Sequence, residues 1–254
     1  MRIISFCADG IESAANKGFF DWVAEQDADF ICVQDIRARE YDLRDDVYFP
    51  QGYNPYFFDS VEGTTNGVAI YCRQMPKAIM TGLGFMDFDM EGRYIQADFH
   101  QLSVGCLLAP AAGPGDAAAL ARKNQFFELY QSHLNKVRNK RREFVVCGNW
   151  NIAHKPIDVQ DTQRNLEMPG FLPGEQQWMD RLFNDLGYID AFREVNSDND
   201  EFTWWPETHD ENGWRVDYQV VSAGLQPVVE YGAIYKNQEF SSHAPLIMDY
   251  DYEL

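Results

Sequence analysis

Short apolar runs alternate along the chain with longer stretches whose apolar residues recur every three to four positions. That is the pattern of strands interleaved with amphipathic helices. Arg2–Phe6 and Phe30–Val33 read as buried strands, the second ending at Gln34-Asp35. Between them, residues 12–26 place Ala15, Phe19, Trp22 and Val23 on one helical face. Gly-containing turns separate further expected strands at 53–58, 67–72, 93–99 and 103–109. Asp116 is placed to cap a long helix over 117–141, with Phe126, Phe127, Tyr130, Leu134 and Val137 inward. Phe144–Cys147 reads as a strand running into Gly148-Asn149-Trp150-Asn151, and 174–186 as a helix carrying Trp178, Met179, Leu182 and Phe183. The last third is expected to be β-rich, at 201–205, 214–222, 228–235 and 245–252. No Pro/Gly/Ser linker divides the chain. Its two halves echo one another weakly (strand, cysteine, polar loop, helix), which favours two face-to-face sheets covered by helices in one domain over 1–254.

Composition narrows the function classes. The 254 residues are 45% hydrophobic and 15% aromatic, ample for a packed core. Against 21 Lys and Arg stand 40 Asp and Glu, a formal charge of -19 that repels a long phosphate polyanion unless a basic patch is segregated. The opening Met1–Gly10 lacks the basic lead and longer apolar run of a signal peptide, and no apolar run approaches the ~18 residues of a membrane span. Cys7, Cys32, Cys72, Cys106 and Cys147 sit in or at the end of apolar segments with no C-x-x-C pair. This predicts reduced, buried thiols and a cytoplasmic location, and speaks against a zinc site.

Polar residues at strand ends are where α/β proteins place their chemistry. Here they are Cys7 and Asp9, Asp35, Asn149 and Asn151, Asp217, and Ser242 with His243; Leu108 marks a further strand end. Singly, each also has a structural reading: Asp35 as a cap, Asn149 and Asn151 as a turn, His243 as a core histidine.

Their order and context carry more. Ile3-Ile4-Ser5-Phe6, Cys32-Val33-Gln34-Asp35, Glu91-Gly92-Arg93 and Cys147-Gly148-Asn149-Trp150-Asn151 occur in sequence, followed by Pro169-Gly170-Phe171, Thr203-Trp204-Trp205, Gly213-Trp214-Arg215-Val216-Asp217-Tyr218 and Ser241-Ser242-His243-Ala244-Pro245. This set resembles the exonuclease III family of the endonuclease/exonuclease/phosphatase superfamily from Met1 to about Asp249. The resemblance implies a four-layer α/β sandwich, two packed mixed sheets flanked by helices, with a metal-dependent phosphodiesterase site at one edge. Departures fall on that site. Cys7 stands where the family has a metal-bound Asn, Asp35 replaces its Glu, and Asn149 replaces its water-activating Asp. Leu108 replaces a Tyr, and Ser242 replaces the Asp before His243. His243, Asp217 and Asn151 remain, Asp9 offers a substitute carboxylate, and Trp204, Trp214 and Val216 resemble the family's abasic-sugar pocket, with core packing as the other reading. An Asn cannot take a proton at neutral pH, so Asn149 is no general base.

Within the superfamily, Gly92–Phe99, Leu107–Pro110, Trp204-Trp205-Pro206, Asp217–Val220 and His243–Leu246 resemble the catabolite repression control group. That resemblance implies a pseudoenzyme with no cofactor and no metal, Asp35 being the one residual ligand. Its implied role is translational co-repression with an Hfq-type RNA chaperone on A-rich mRNA. Lys136, Arg138, Lys140, Arg141 and Arg142 place five cations in seven residues, either completing a helix C-terminus or contacting RNA held by that partner. The other reading is an active Mg²⁺-dependent phosphodiesterase of the exonuclease III or AP endonuclease type. Self-association of the chain is compatible with either reading.

Overall fold

The computed structural model describes residues 1–206 and 211–254. Two six-stranded sheets form its centre. The first comprises β1 (Arg2–Cys7), β2 (Phe30–Gln34), β3 (Asn54–Phe58), β4 (Val68–Cys72), β11 (Val229–Ile234) and β12 (Leu246–Tyr250), in the order β11-β12-β1-β2-β4-β3. The second comprises β5 (Ala78–Thr81), β6 (Tyr94–Asp98), β7 (Leu102–Leu108), β8 (Glu143–Asn149), β9 (Ile189–Asp190) and β10 (Asp217–Val221), in the order β5-β6-β7-β8-β10-β9. The helices are α1 (Ile11–Asn16), α2 (Phe19–Ala24), α3 (Met86–Asp89), α4 (Ala117–Val137), α5 (Thr162–Asn165), α6 (Pro173–Asp180) and α7 (Ala191–Val195).

The period of two along each strand explains the layering. Ile3, Phe30, Cys32, Ile70, Val104, Cys106, Val145 and Cys147 point between the sheets and form one core. Ile4, Phe6, Ile31, Val33 and Tyr71 point the other way, under Phe19, Trp22 and Val23 of α2. Leu107, Val146 and Val220 do the same in the second sheet, under Phe126, Tyr130 and Leu134 of α4 and Trp178 of α6. The result is the expected four-layer sandwich. All five cysteines are free and buried, four of them in the inter-sheet core.

Several elements differ from the sequence pattern. The helix expected over 12–26 is two short helices, because Gly18 takes a left-handed conformation (φ 85°) that turns the chain between them. The long helix begins as expected, with the Asp116 carboxylate accepting from the Ala119 N–H, but stops at Val137. Beyond Val137 only cations and Asn139 follow, so no apolar residue remains to hold another turn against the sheet. The segment 174–186 passes from α6 into a π-turn over Arg181–Asp185. That insertion turns Leu182 into the core and leaves Phe183 half-buried. No strand forms at 201–205; Trp204 makes single bridges to Trp214 and His243 instead. The edge strand β5 is exposed on three of its four residues, which is why its hydrophobic alternation was too weak to read.

Candidate active site

β1 runs parallel to β2, and β7 runs parallel to β8, so Cys7, Asp35, Leu108 and Asn149 finish at one edge of the sandwich. β10 and β12 run the opposite way and begin there: Asp217 pairs with Asn149, and His243 lies just ahead of Leu246, which pairs with Ser5. The nine strand-end positions named from the sequence therefore converge. Three of them, Asp9, Asp35 and Asn151, adopt left-handed backbone (φ 50°, 54° and 53°). Asp and Asn tolerate that region best, and such backbone concentrates at functional sites.

The centre of this edge is His243, whose Nδ1 lies 2.7 Å from Oδ2 of Asp217, both side chains buried. Burial alone would lower the imidazole pKa. The Asp217 carboxylate, with help from Cys7, more than reverses this and holds it well above its ordinary value. The thiol of Cys7 is pushed up to about 11 by burial, against the pull of His243. Asp9 stays below the ordinary carboxylate value: burial opposes this, but His243, hydrogen bonds from Ser242 and Arg37 outweigh it. Both the backbone N–H (3.1 Å) and the hydroxyl of Ser242 donate to Oδ2 of Asp9.

The flanking residues divide into those aimed at this centre and those turned away. The Asn149 amide donates to the Cys7 sulfur at 3.6 Å, and its Oδ1 accepts from the Asn151 N–H at 2.8 Å. Asn151 spends its own amide on the Ala109 carbonyl (2.8 Å). Leu108 points into the inter-sheet core, and only its carbonyl reaches the edge, where it accepts from Arg93 (3.2 Å). Asp35 is held by Arg37, whose Nη2 approaches Asp35 at 2.6 Å and Asp9 at 3.2 Å.

Trp204 stands 6.1 Å from the His243 ring, centroid to centroid, and 6.0 Å from that of Trp214. Together with Val216, Met168 and Gly170 these indoles line a mostly apolar cavity of about 320 Å³ beside the histidine. Trp214 and Val216 also pack on Phe171 and Ala153, so the trio is both a small core and a cavity wall. The basic segment is elsewhere. It leads into the start of β8, whereas the site lies at the end of that strand, about 20 Å away for its seven residues. Arg138 donates to the Asp185 carbonyl and Arg142 pairs with Asp98, while Lys136, Lys140 and Arg141 are exposed.

Two charged residues near the site escaped the reading of the sequence. Lys123 is buried on the inward stripe of α4, bonding the Asn151 carbonyl (2.7 Å) and pairing with Glu175. A cation three and four residues ahead of Phe126 and Phe127, on an otherwise apolar face, was its signal. Arg37 had none, since an Arg two residues past a strand end is ordinary.

The metal implied by the resemblance can be tested against these donors. Mg²⁺ takes hard oxygen ligands in a near-octahedral shell. The ligand atoms that cluster here are the Cys7 sulfur, an Asp9 oxygen and a His243 nitrogen, within 4.8 Å of one another. Asp35, the single ligand expected from the sequence, is instead tied to Arg37. A thiol, an imidazole and one carboxylate do not fit Mg²⁺.

The chain matches the model of the Endonuclease/Exonuclease/phosphatase family over residues 11–237. It is 29% identical over 254 residues to the exodeoxyribonuclease of Bacillus subtilis, covering 97% of this chain and 98% of that one. It is 30% identical over 257 residues to the DNA repair nuclease APEX1 of Danio rerio, covering 98% and 81%. An AP endonuclease structure from Archaeoglobus fulgidus superposes with a TM-score of 0.90 at 23% identity, over 99% of this chain and 100% of that one. These similarities overturn the expectation of a pseudoenzyme: the three similar proteins described above carry the names of nucleases. Among the described residues no helix is long and apolar enough to cross a membrane.

Proposed function

The chain belongs to the Endonuclease/Exonuclease/phosphatase family, and from that premise we propose that it hydrolyses phosphodiesters in nucleic acid, in the manner of exonuclease III or an AP endonuclease. The observation that carries this reading is the buried His243–Asp217 pair at 2.7 Å on the strand-end edge. Asp217 fixes the imidazole and keeps it charged, which suits it to donate to a phosphoryl oxygen as negative charge develops there. Asp9, ionised at neutral pH, is placed to accept from the attacking water on the same edge. The aromatic cavity beside His243 suits a sugar without its base, which favours an abasic strand as substrate. Five unbridged thiols accord with a cytoplasmic setting for this activity.

An abasic duplex supplied with Mg²⁺, Mn²⁺ or Zn²⁺ in turn tests the reading. Cleavage is expected with at least one cation, falling roughly 10²–10⁴-fold in His243→Ala, the usual worth of a proton-transfer group. Cleavage indifferent to His243, or absent with every cation, sinks it.

A second reading is favoured by the basic segment alone. Lys136, Lys140 and Arg141 are exposed at the opposite end of β8, where they can reach RNA without entering the site. This supports contact with an A-rich mRNA presented by an Hfq-type chaperone, since a charge of -19 opposes recruitment of RNA by this chain alone. A gel shift that appears only with the chaperone present supports it; an equal shift without the chaperone refutes it.

A further inference from the structure

The ligand atoms of Cys7, Asp9 and His243 come from the end of β1, the loop after it and the segment before β12, and all lie within 4.8 Å of one another. We propose that they form a site for a borderline-soft divalent cation of the Zn²⁺ class, with the fourth position open. Tetrahedral zinc with bonds of about 2.0–2.3 Å holds its ligand atoms roughly 3.3–3.8 Å apart. Side-chain rotation of about 1 Å therefore closes the observed set around an ion. Sulfur, nitrogen and one carboxylate are donors that zinc and cobalt accept and magnesium does not.

The surroundings strengthen the case, because each ligand is already oriented by a second group. Asp217 accepts from Nδ1 of His243 at 2.7 Å, which leaves Nε2 as the nitrogen for a ligand. That carboxylate–histidine arrangement is the usual outer support of a metal-bound imidazole. Oδ1 of Asp217 has no hydrogen-bond partner among the described residues although the residue is 1% exposed. The Asn149 amide steadies the Cys7 sulfur, and Ser242 steadies Asp9. Arg37 reaches Oδ1 of Asp9 at 3.2 Å, and Ser242 donates to Oδ2. On binding, metal–sulfur and metal–Nε2 bonds form, and the thiol proton and the Nε2 proton of the charged imidazole both pass to solvent. Three protein ligands with one open position is the arrangement of catalytic, as opposed to structural, zinc. The cysteine spacing gave no sign of such a site, since Cys7 and His243 are 236 residues apart in sequence.

The inference goes beyond the phosphodiesterase reading and stands without it, because binding is read by absorption and not by turnover. Titration of the intact chain with Co²⁺ should produce a thiolate-to-cobalt charge-transfer band saturating at one ion per chain. Zn²⁺ should abolish it stoichiometrically, and a hundredfold excess of Mg²⁺ should leave it. Cys7→Ser should lose the band, although Cys32, Cys72, Cys106 and Cys147 remain. Asp217→Asn should keep the band but weaken binding about 10–100-fold. If circular dichroism shows Cys7→Ser unfolded, Asp9→Asn takes its place, with a weakened and shifted spectrum expected. Absence of the band in the parent chain, its survival in folded Cys7→Ser, or displacement by Mg²⁺ at Zn²⁺-like concentration would each overturn the proposal.

Discussion

Asn149 is buried at the candidate site, bonded to Cys7 and Asn151, and paired across the sheet with Asp217. An amide there can orient a water but cannot take its proton. Asn149→Asp should therefore raise phosphodiester cleavage by at least about tenfold, and a lower rate in steady-state assays would count against general-base chemistry at this position. Asp158 shows the opposite economy, a carboxylate spent on structure. It accepts from the buried Arg215 at 2.8 Å and from Arg193 at 2.9 Å. Burial would raise its pKa, but the two guanidinium groups overcome that and hold it at about 2. Because this lies below the unfolded value near 3.9, Asp158 stabilises the fold fully above about pH 4–5 and ceases to do so as pH falls through about 2. The unfolding free energy of the parent should exceed that of Asp158→Asn by an amount that shrinks over that window. Denaturant melts between pH 5 and pH 2 measure the gap. Arg215 lies between Trp214 and Val216, so the same network also holds the cavity wall.

At the scale of elements, α4 does more than cover the second sheet. Lys123 joins it to α6 through Glu175, and Glu175 in turn accepts from the Gly170 and Leu172 N–H groups at 2.6 and 3.0 Å. With the Lys123 bond to the Asn151 carbonyl, this single pair fixes both the loop after β8 and the loop that borders the cavity. Lys123→Met should cost about 3–5 kcal/mol in urea unfolding, because it leaves Glu175 buried without its partner. Lys123→Met with Glu175→Gln should cost clearly less than the sum of the two singles. Additive losses would mean the two residues are not coupled. The extent of α4 was readable up to the point where its apolar stripe ends. The break at Gly18 and the π-turn after α6 were less legible, because each depends on how the next turn meets the sheet.

For the whole molecule, the surface charge and the placement of the basic segment set the terms of any nucleic-acid contact. The net charge of -19 opposes the approach of DNA, so the association rate should rise as salt is first added and fall only when phosphate contacts are themselves screened. Stopped-flow binding of an abasic duplex across low ionic strengths would show the maximum; a rate falling monotonically from the lowest salt would refute this. The segment 138–142 and the candidate site occupy opposite ends of β8. Reversing Lys140 and Arg141 to Glu should thus leave abasic cleavage within about twofold while removing RNA crosslinks in a chaperone-containing assembly.

The layered architecture was legible because the information is local. Alternation within Arg2–Cys7 or Phe30–Gln34 decides which side chains face the second sheet and which face the helices, and the same period buries the cysteines. The strand-end polar positions were legible for the same reason. What they do together was decided by tertiary structure. The parallel pairing of β1 with β2 and the return of β12 beside β1 bring Cys7, Asp9 and His243 together from opposite ends of the chain. Packing of the second sheet then brings Asp217 up behind the histidine. Asp35 lies outside that group with its carboxylate 2.6 Å from Arg37, and Leu108 turns its side chain into the core. A period of two specifies the face a residue occupies, whereas coordination depends on distances of a few ångströms between segments that only the closed sandwich juxtaposes.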